Sequence, residues 1–287
     1  MNNLLIERIQ NAVLTKQQKV IADYFIKNQK RICNLSTLEV ANEIGVSDAS
    51  IIRFSRSIGF EGFSDLKDSV YIEMVQEMDQ KVGLLPLAER LKKKSEQYKN
   101  ADFFQVFKAL MIANVNKSLS QNAHEDYIRV ANSILSANHR YIIGQRGCKG
   151  IAVQFSRLLQ LLLDHVSGIT DGESDSLGIL QSVKSDDVIV MFCFARYYKI
   201  DNAIMKLVKS RGAKICLIVD NILSPLVPFA DTVLLAETDH MNFSNSTLGT
   251  VAIAEFILTI ISQKQAVMQH ERFMERDEMT SEFLIGR

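Results

Sequence analysis

A chain of 287 residues, 47% hydrophobic and 23% charged, is long enough for two domains and can bury a core in each, which excludes a disordered or fibrous protein. Thirty-three basic against thirty-three acidic residues cancel, so net charge neither demands nor excludes a polyanionic partner. The four cysteines, Cys33, Cys148, Cys193 and Cys216, form no C-x-x-C pair, which argues against a zinc ribbon or a disulfide framework and for reduced thiols. The start, "MNNLLIERIQ", is too polar for a signal peptide, and no uninterrupted apolar run approaches the roughly 18 to 20 residues of a membrane span. A cytoplasmic location and no membrane partner are expected.

In chain order, residues 1–80 read as all helix. In "LTKQQKVIADYFIKNQ", Thr15 and Gln18 stand at capping-box spacing, and Val20, Ile21, Tyr24 and Phe25 follow as one apolar face. The next stretch, "LSTLEVANEIGVSDASIIRFSRSIGF", has helix-turn-helix spacing. Ser36 with Glu39 makes a second capping box, Gly45 can take the positive φ of a tight turn, and Ser47 caps a second helix. Ala41 is small where the two helices would cross, and Ile51, Phe54 and Ile58 face inward. That leaves Ala49, Ser50, Arg53 and Arg56 or Ser57 outward, the positions that would enter a major groove. Arginine reads guanine or clamps phosphate, and Ser47 and Ser50 at the helix start can join the cap amides in holding a phosphate. Residues 1–80 hold nine basic and eleven acidic side chains, so docking would rest on a few placed cations, Arg53, Arg56 and Lys67, and be strongly salt-sensitive. On these residues alone the alternative is an ordinary helical hairpin with a solvated arginine face.

These segments, with "STLEVANEIGVSDASIIRFSRSIGFEGFSDLK" and the α/β half that follows, resemble the RpiR family of bacterial transcription regulators. In that family an N-terminal helix-turn-helix domain is joined to a SIS (sugar isomerase) domain, and the resemblance covers nearly the whole chain. It implies a one-component regulator, a homodimer or tetramer, that binds a two-fold symmetric double-stranded DNA operator and is switched by a small metabolite, commonly a phosphorylated sugar. No cofactor is expected, no metal site, and no enzymatic activity.

Beyond the helix-turn-helix domain (1–80), "KVGLLPLAERLKKKSEQYKN" reads as a linker (81–100) ending in a helix. Helices over about 102–120 and 123–137 follow, then the short apolar runs "RYIIG", "HVSGI", "DVIVMFCF", "AKICLIVD" and "DTVLLA". Alternating with amphipathic segments, they predict an α/β domain over 101–265: a five-stranded parallel sheet of flavodoxin-like order with helices on both faces. A charged tail (266–287) ends the chain. Such a sheet places a ligand at the carboxyl ends of its first and third strands, here "GQRGCKG" and "FCFARYYK".

In "YIIGQRGCKGIA" a strand runs through Gly144, Gly147 and Gly150 into a helix, but Arg146 breaks the G-x-G-x-x-G dinucleotide pattern. SIS loops that hold sugar phosphates resemble G-x-G-x-S and S-x-S-G-x-T. Here Arg146 and Cys148 stand at the second glycine and the serine of the first loop, and Cys193, Ala195, Arg196 and Tyr198 at Ser, Ser, Gly and Thr of the second. The hydroxyl cradle is replaced by two arginines, each next to a helix N-terminus, which suits bidentate capture of a carboxylate or phosphate on a sugar. The candidate ligand residues are Gly144, Gln145, Arg146, Cys148, Cys193, Arg196, Tyr197 and Ser246. Three alternatives stay open. The arginines could be paired with Asp171, Glu173 or Asp175 over an empty crevice, or the SIS domain could only oligomerise. A phosphosugar isomerase is the third, against which stands a rim without an obvious carboxylate–histidine pair. Glu255, interrupting an apolar helix, is either a buried partner for a rim arginine or an interface residue.

Overall fold

A computed structural model of the chain describes residues 4–33, 35–70, 85–170 and 173–283. It divides into two compact units, Met1–Pro86 and Leu87–Arg287. The 80/81 boundary drawn from sequence lies outside the described residues, and the helix expected at the end of the linker, Leu87–Gln97, belongs to the second unit. No single helix among the described residues is long and apolar enough to cross a membrane.

The first unit holds α1 (Leu4–Asn11), α2 (Lys16–Lys27), the single turn α3 (Gln29–Ile32), α4 (Thr37–Ile44), α5 (Asp48–Ser57) and α6, helical over 63–70. Both capping boxes close: Thr15 with Gln18 starts α2, and Ser36 with Glu39 starts α4. Gly45 ends α4 at φ 77°, a left-handed conformation that glycine takes without a Cβ clash, and the chain turns into α5. Ile51 and Phe54 of α5 and Ile58 just after it are buried with Phe25 of α2, Val40 and Ala41 of α4, and Leu66 of α6. The Phe25 ring meets Phe54 edge-on, centroids 5.3 Å apart at 79°, and meets Phe63 at 5.8 Å. Val20, counted from sequence with the apolar face of α2, is instead 53% exposed.

The second unit runs α7 (Leu87–Gln97), α8 (Phe103–Ser120), α9 (His124–Ser136), β1 (Arg140–Gly144), α10 (Lys149–Leu162), β2 (Val166–Ile169), α11 (Glu173–Leu180), β3 (Val188–Cys193), α12 (Lys199–Ser210), β4 (Lys214–Val219), β5 (Thr232–Leu235), α13 (Leu248–Gln265) and α14 (His270–Thr280). The strands pair in parallel in the order β2-β1-β3-β4-β5. Both sheet faces are covered, which is why the strands read as continuous apolar runs. Ile142, Val190 and Ile218 pack one face against α9, α10 and α13, while Ile143, Met191 and Leu217 pack the other against α11 and α12. At the entry to β1, buried Arg140 donates to the Ile134 and Leu135 carbonyls at 2.7 and 3.1 Å, satisfying the C-terminal turn of α9.

Candidate functional site

On the outer side of α5 the serines are used locally. Ser47 caps the helix, its Oγ accepting the Ser50 N–H at 3.3 Å and lying 2.9 Å from the Ser50 hydroxyl. Ser50 is buried and accepts from Arg53 Nη2 at 3.3 Å. Arg53 and Arg56 are both exposed. Arg56 Nε donates to the Glu61 carbonyl at 3.0 Å, pinning the turn after α5. Lys67 departs from its expected role: half-buried, its Nζ donates to the Leu35 carbonyl at 2.7 Å and so ties α6 to the segment before α4. Arg53, Arg56, Ala49 and Ser57 remain as the face open to a groove.

At the carboxyl ends of β1 and β3 lies a cleft of about 570 Å³. Gln145, Arg146, Cys148, Cys193 and Arg196 line it as expected from sequence. Gly144 lies just beneath, where a Cβ would fall 2.6 Å from that of Ala152 and 2.8 Å from the Cys148 carbonyl, so glycine lets α10 approach β1. Tyr197 turns away, its hydroxyl donating to Asp220 at 2.5 Å, and its neighbour Tyr198 lines the cleft instead. Ser246 also lies off the lining, with its hydroxyl 3.7 Å from the Met111 sulfur, while Ser244, Asn245 and Thr247 line it.

Two groups central to the cleft were absent from the expected set. Asp201, at the third position of α12, is 1% exposed and accepts from Arg146 Nη2 with both oxygens, at 2.9 and 2.7 Å, and from the Tyr198 N–H at 2.9 Å. Arg146 therefore has a partner other than those expected; Asp171 lies outside the described residues, as do the side chains of Glu173 and Asp175. Arg146 also stands over the Tyr198 ring at 3.9 Å, and its backbone is at φ 54°, a left-handed conformation that glycine adopts more readily than other residues. The second is Arg90 of α7, 4% exposed, which donates to the Phe243 carbonyl and to Asn245 Oδ1, each at 2.9 Å. Asn245 in turn donates to the Ala195 carbonyl at 2.9 Å. Arg196 is exposed on the cleft and has no ion pair with any described residue.

Burial pushes the Cys148 thiol up to about 12, and burial with the nearby Asp201 charge pushes Cys193 up as well. Both stay protonated near neutrality and pack as small apolar groups. Glu255 is exposed and is not a buried partner for a rim arginine.

Buried His240 bonds the Thr238 carbonyl through Nδ1 at 3.0 Å, while its Nε2 has no partner among the described residues. Burial lowers its pKa below 6.5, and the charges of Lys94 and Arg90 push the same way, against the hydrogen bond to Thr238. Burial likewise lowers that of His139. Folding thus favours the neutral rings: their contribution is complete above 6.5 and is lost as pH falls through that value toward the lowered folded-state pKa. The melting temperature is expected to drop on acidification from about pH 7 to about pH 5, and His240→Gln to shrink that drop. An identical pH profile for the variant would show that His240 does not titrate in this window.

The helix-turn-helix domain of the rpiR family matches residues 1–77, and the SIS domain matches residues 133–260. An uncharacterized HTH-type transcriptional regulator of Haemophilus influenzae is 22% identical over 250 residues, 86% of this chain and 84% of its own. One from Clostridium perfringens is 23% identical over 264 residues, 90% of each chain. Among solved structures, the sugar isomerase domain of an RpiR transcription factor from Sphaerobacter thermophilus is similar at 25% identity and a TM-score of 0.58, over 61% of this chain and 97% of that one. The Vibrio vulnificus NanR protein complexed with ManNAc-6P is similar in fold, with a TM-score of 0.55 at 14% identity, over 99% of this chain and 100% of that one.

Proposed function

Since the chain belongs to the RpiR family of DNA-binding regulators with a SIS domain, we propose that its cleft senses an anionic sugar derivative, a sugar phosphate or a sugar acid, and thereby sets operator affinity. The observation that carries this reading is the set of arginines, Arg90, Arg146 and Arg196, lining one cleft at the strand ends where this sheet type takes its ligands. The complex of the NanR protein with a phosphosugar is in keeping with it. No histidine is among the residues lining the cleft, and its buried carboxylate, Asp201, is ion-paired, which favours sensing over aldose–ketose isomerisation. On the DNA side, Ser47 starts α5 at the groove, Arg53 is the base-reading candidate, Arg56 pins the turn after α5, and Lys67 ties α6 to the segment before α4.

The test has two parts. A ligand that binds the folded protein raises the melting temperature: at about a hundred times its dissociation constant it adds roughly 2.7 kcal/mol, worth a few degrees here. ManNAc-6P, related phosphosugars and sugar acids should therefore be screened by thermal shift. In parallel, duplexes selected from random DNA should carry two-fold related half-sites, and Arg53→Ala should weaken their binding by about tenfold. Unchanged DNA affinity would remove Arg53 from the interface, and a protein that no sugar anion stabilises would overturn the sensing role.

A further inference from the structure

An effector's acid group competes poorly for a cation already paired with a carboxylate, and this cleft carries a carboxylate of its own. Asp201 accepts from Arg146 through both oxygens, from the first amide before α12, and from the Cys193 thiol at 3.5 Å. Arg146 is further fixed by Gln145 Oε1 at 3.2 Å and by the Tyr198 ring. The start of α12 and the Arg146 guanidinium are the donors that the two strand-end loops would turn toward an incoming phosphate. Both are engaged by an internal anion that is 1% exposed.

Resting on the sensing role above, we propose that the effector's acid group is held by Arg196 and Arg90, with Asp201 filling the cradle at α12 and Arg146 acting as its counter-ion. Arg196 is exposed on the cleft and without an ion pair among the described residues, and Arg90 lines the same cleft. The two cations sense each other: burial lowers the pKa of Arg90 first, the positive charge of Arg196 adds to that, and Asp220 opposes both. An anion shared between them relieves this repulsion and gains charge-assisted hydrogen bonds in a partly dry site. The loops are already linked for it, because Asn245 accepts from Arg90 and donates to Ala195, the residue before Arg196. Arg90 also gives the contact a regulatory consequence. It sits on α7, which begins at Leu87 directly after the first unit ends at Pro86, so a ligand gripping Arg90 acts on the segment by which the DNA-binding unit is attached.

The experiment is calorimetric titration of the full chain with two probes, gluconate for a sugar acid and ManNAc-6P for a phosphosugar, followed by hydrogen exchange in the α7 amides. Whichever probe binds the wild type, Arg196→Gln and Arg90→Gln should each weaken it by about tenfold or more, and Arg90→Lys, which keeps the charge without the fork, should recover part of the loss. The charge-neutral double variant Arg146→Gln/Asp201→Asn should bind within about threefold of wild type. Binding should slow exchange in α7 of the wild type but not of Arg90→Gln. The assignment is overturned by binding that survives the Arg90 and Arg196 changes, or by its loss in the double variant, and the sensing role then stands. If neither probe binds the wild type, the sensing role fails and this assignment with it.

Discussion

Arg146→Ala is expected to destabilise the second unit by about 3 kcal/mol, seen as a fall of roughly 6–12 °C in its melting temperature. The cause is the carboxylate left behind. Asp201 is 1% exposed, and without Arg146 its remaining side-chain partners among the described residues are the Tyr198 amide and the Cys193 thiol. Breaking a buried pair costs about 3–5 kcal/mol; the lower end applies because the Arg146 side chain is 34% exposed and its partner site can admit some water. Arg146→Gly should be less damaging than Arg146→Ala by roughly 1 kcal/mol, reversing the usual order in a loop, because glycine accepts φ 54° without the left-handed penalty. Removing both charges in Arg146→Gln/Asp201→Asn should lie closer to wild type than Arg146→Ala, since no buried charge is stranded. Urea titration of the three variants checks the order. An Arg146→Ala protein as stable as wild type would mean that the pair contributes nothing, and Arg146 would then be available to a ligand.

What the sequence made legible follows the range of the interactions. Capping boxes at Thr15/Gln18 and Ser36/Glu39 are closed by residues three apart, and the left-handed Gly45 needs only its own missing Cβ, so the helix-turn-helix could be read from local pattern. The five strands were legible because a parallel sheet covered on both faces writes itself as uninterrupted apolar runs. The mouth of the cleft followed from strand order. Its contents did not. Arg146 and Asp201 are 55 positions apart, and Arg90 and Asn245 are 155 apart, so no spacing rule joins them. Weak signals existed: Asp201 stands at the capping position of the helix after "ARYYK", and Arg90 and Lys94 share the buried face of α7 in a stretch that reads as a linker ending in a helix. Lys67 shows the converse. Its type suggested a phosphate clamp, but a carbonyl 32 residues away holds it.

Phe25→Ala should weaken DNA binding by destabilising the first unit rather than by touching the DNA face. Phe25 is 0% exposed and wedged between Phe54 and Phe63, at 5.3 and 5.8 Å, so its ring seats the groove-facing helix α5 on α2. Truncating a buried phenylalanine costs about 3–5 kcal/mol, and a unit of this size has only roughly 5–10 kcal/mol in total. The unfolded fraction of the unit should rise by a factor of roughly 100–5,000, with loss of helical signal on mild warming and of affinity for a selected duplex in parallel. Val20→Ala is the matched control: Val20 belongs to the same helix and was assigned to the same face by its type, but at 53% exposed its loss should change stability by less than about 0.5 kcal/mol. If the two variants behave alike, α2 does not seat α5 through Phe25. If Phe25→Ala loses DNA while the ligand-induced thermal shift of the second unit persists, the sensing cleft does not depend on a folded DNA-binding unit.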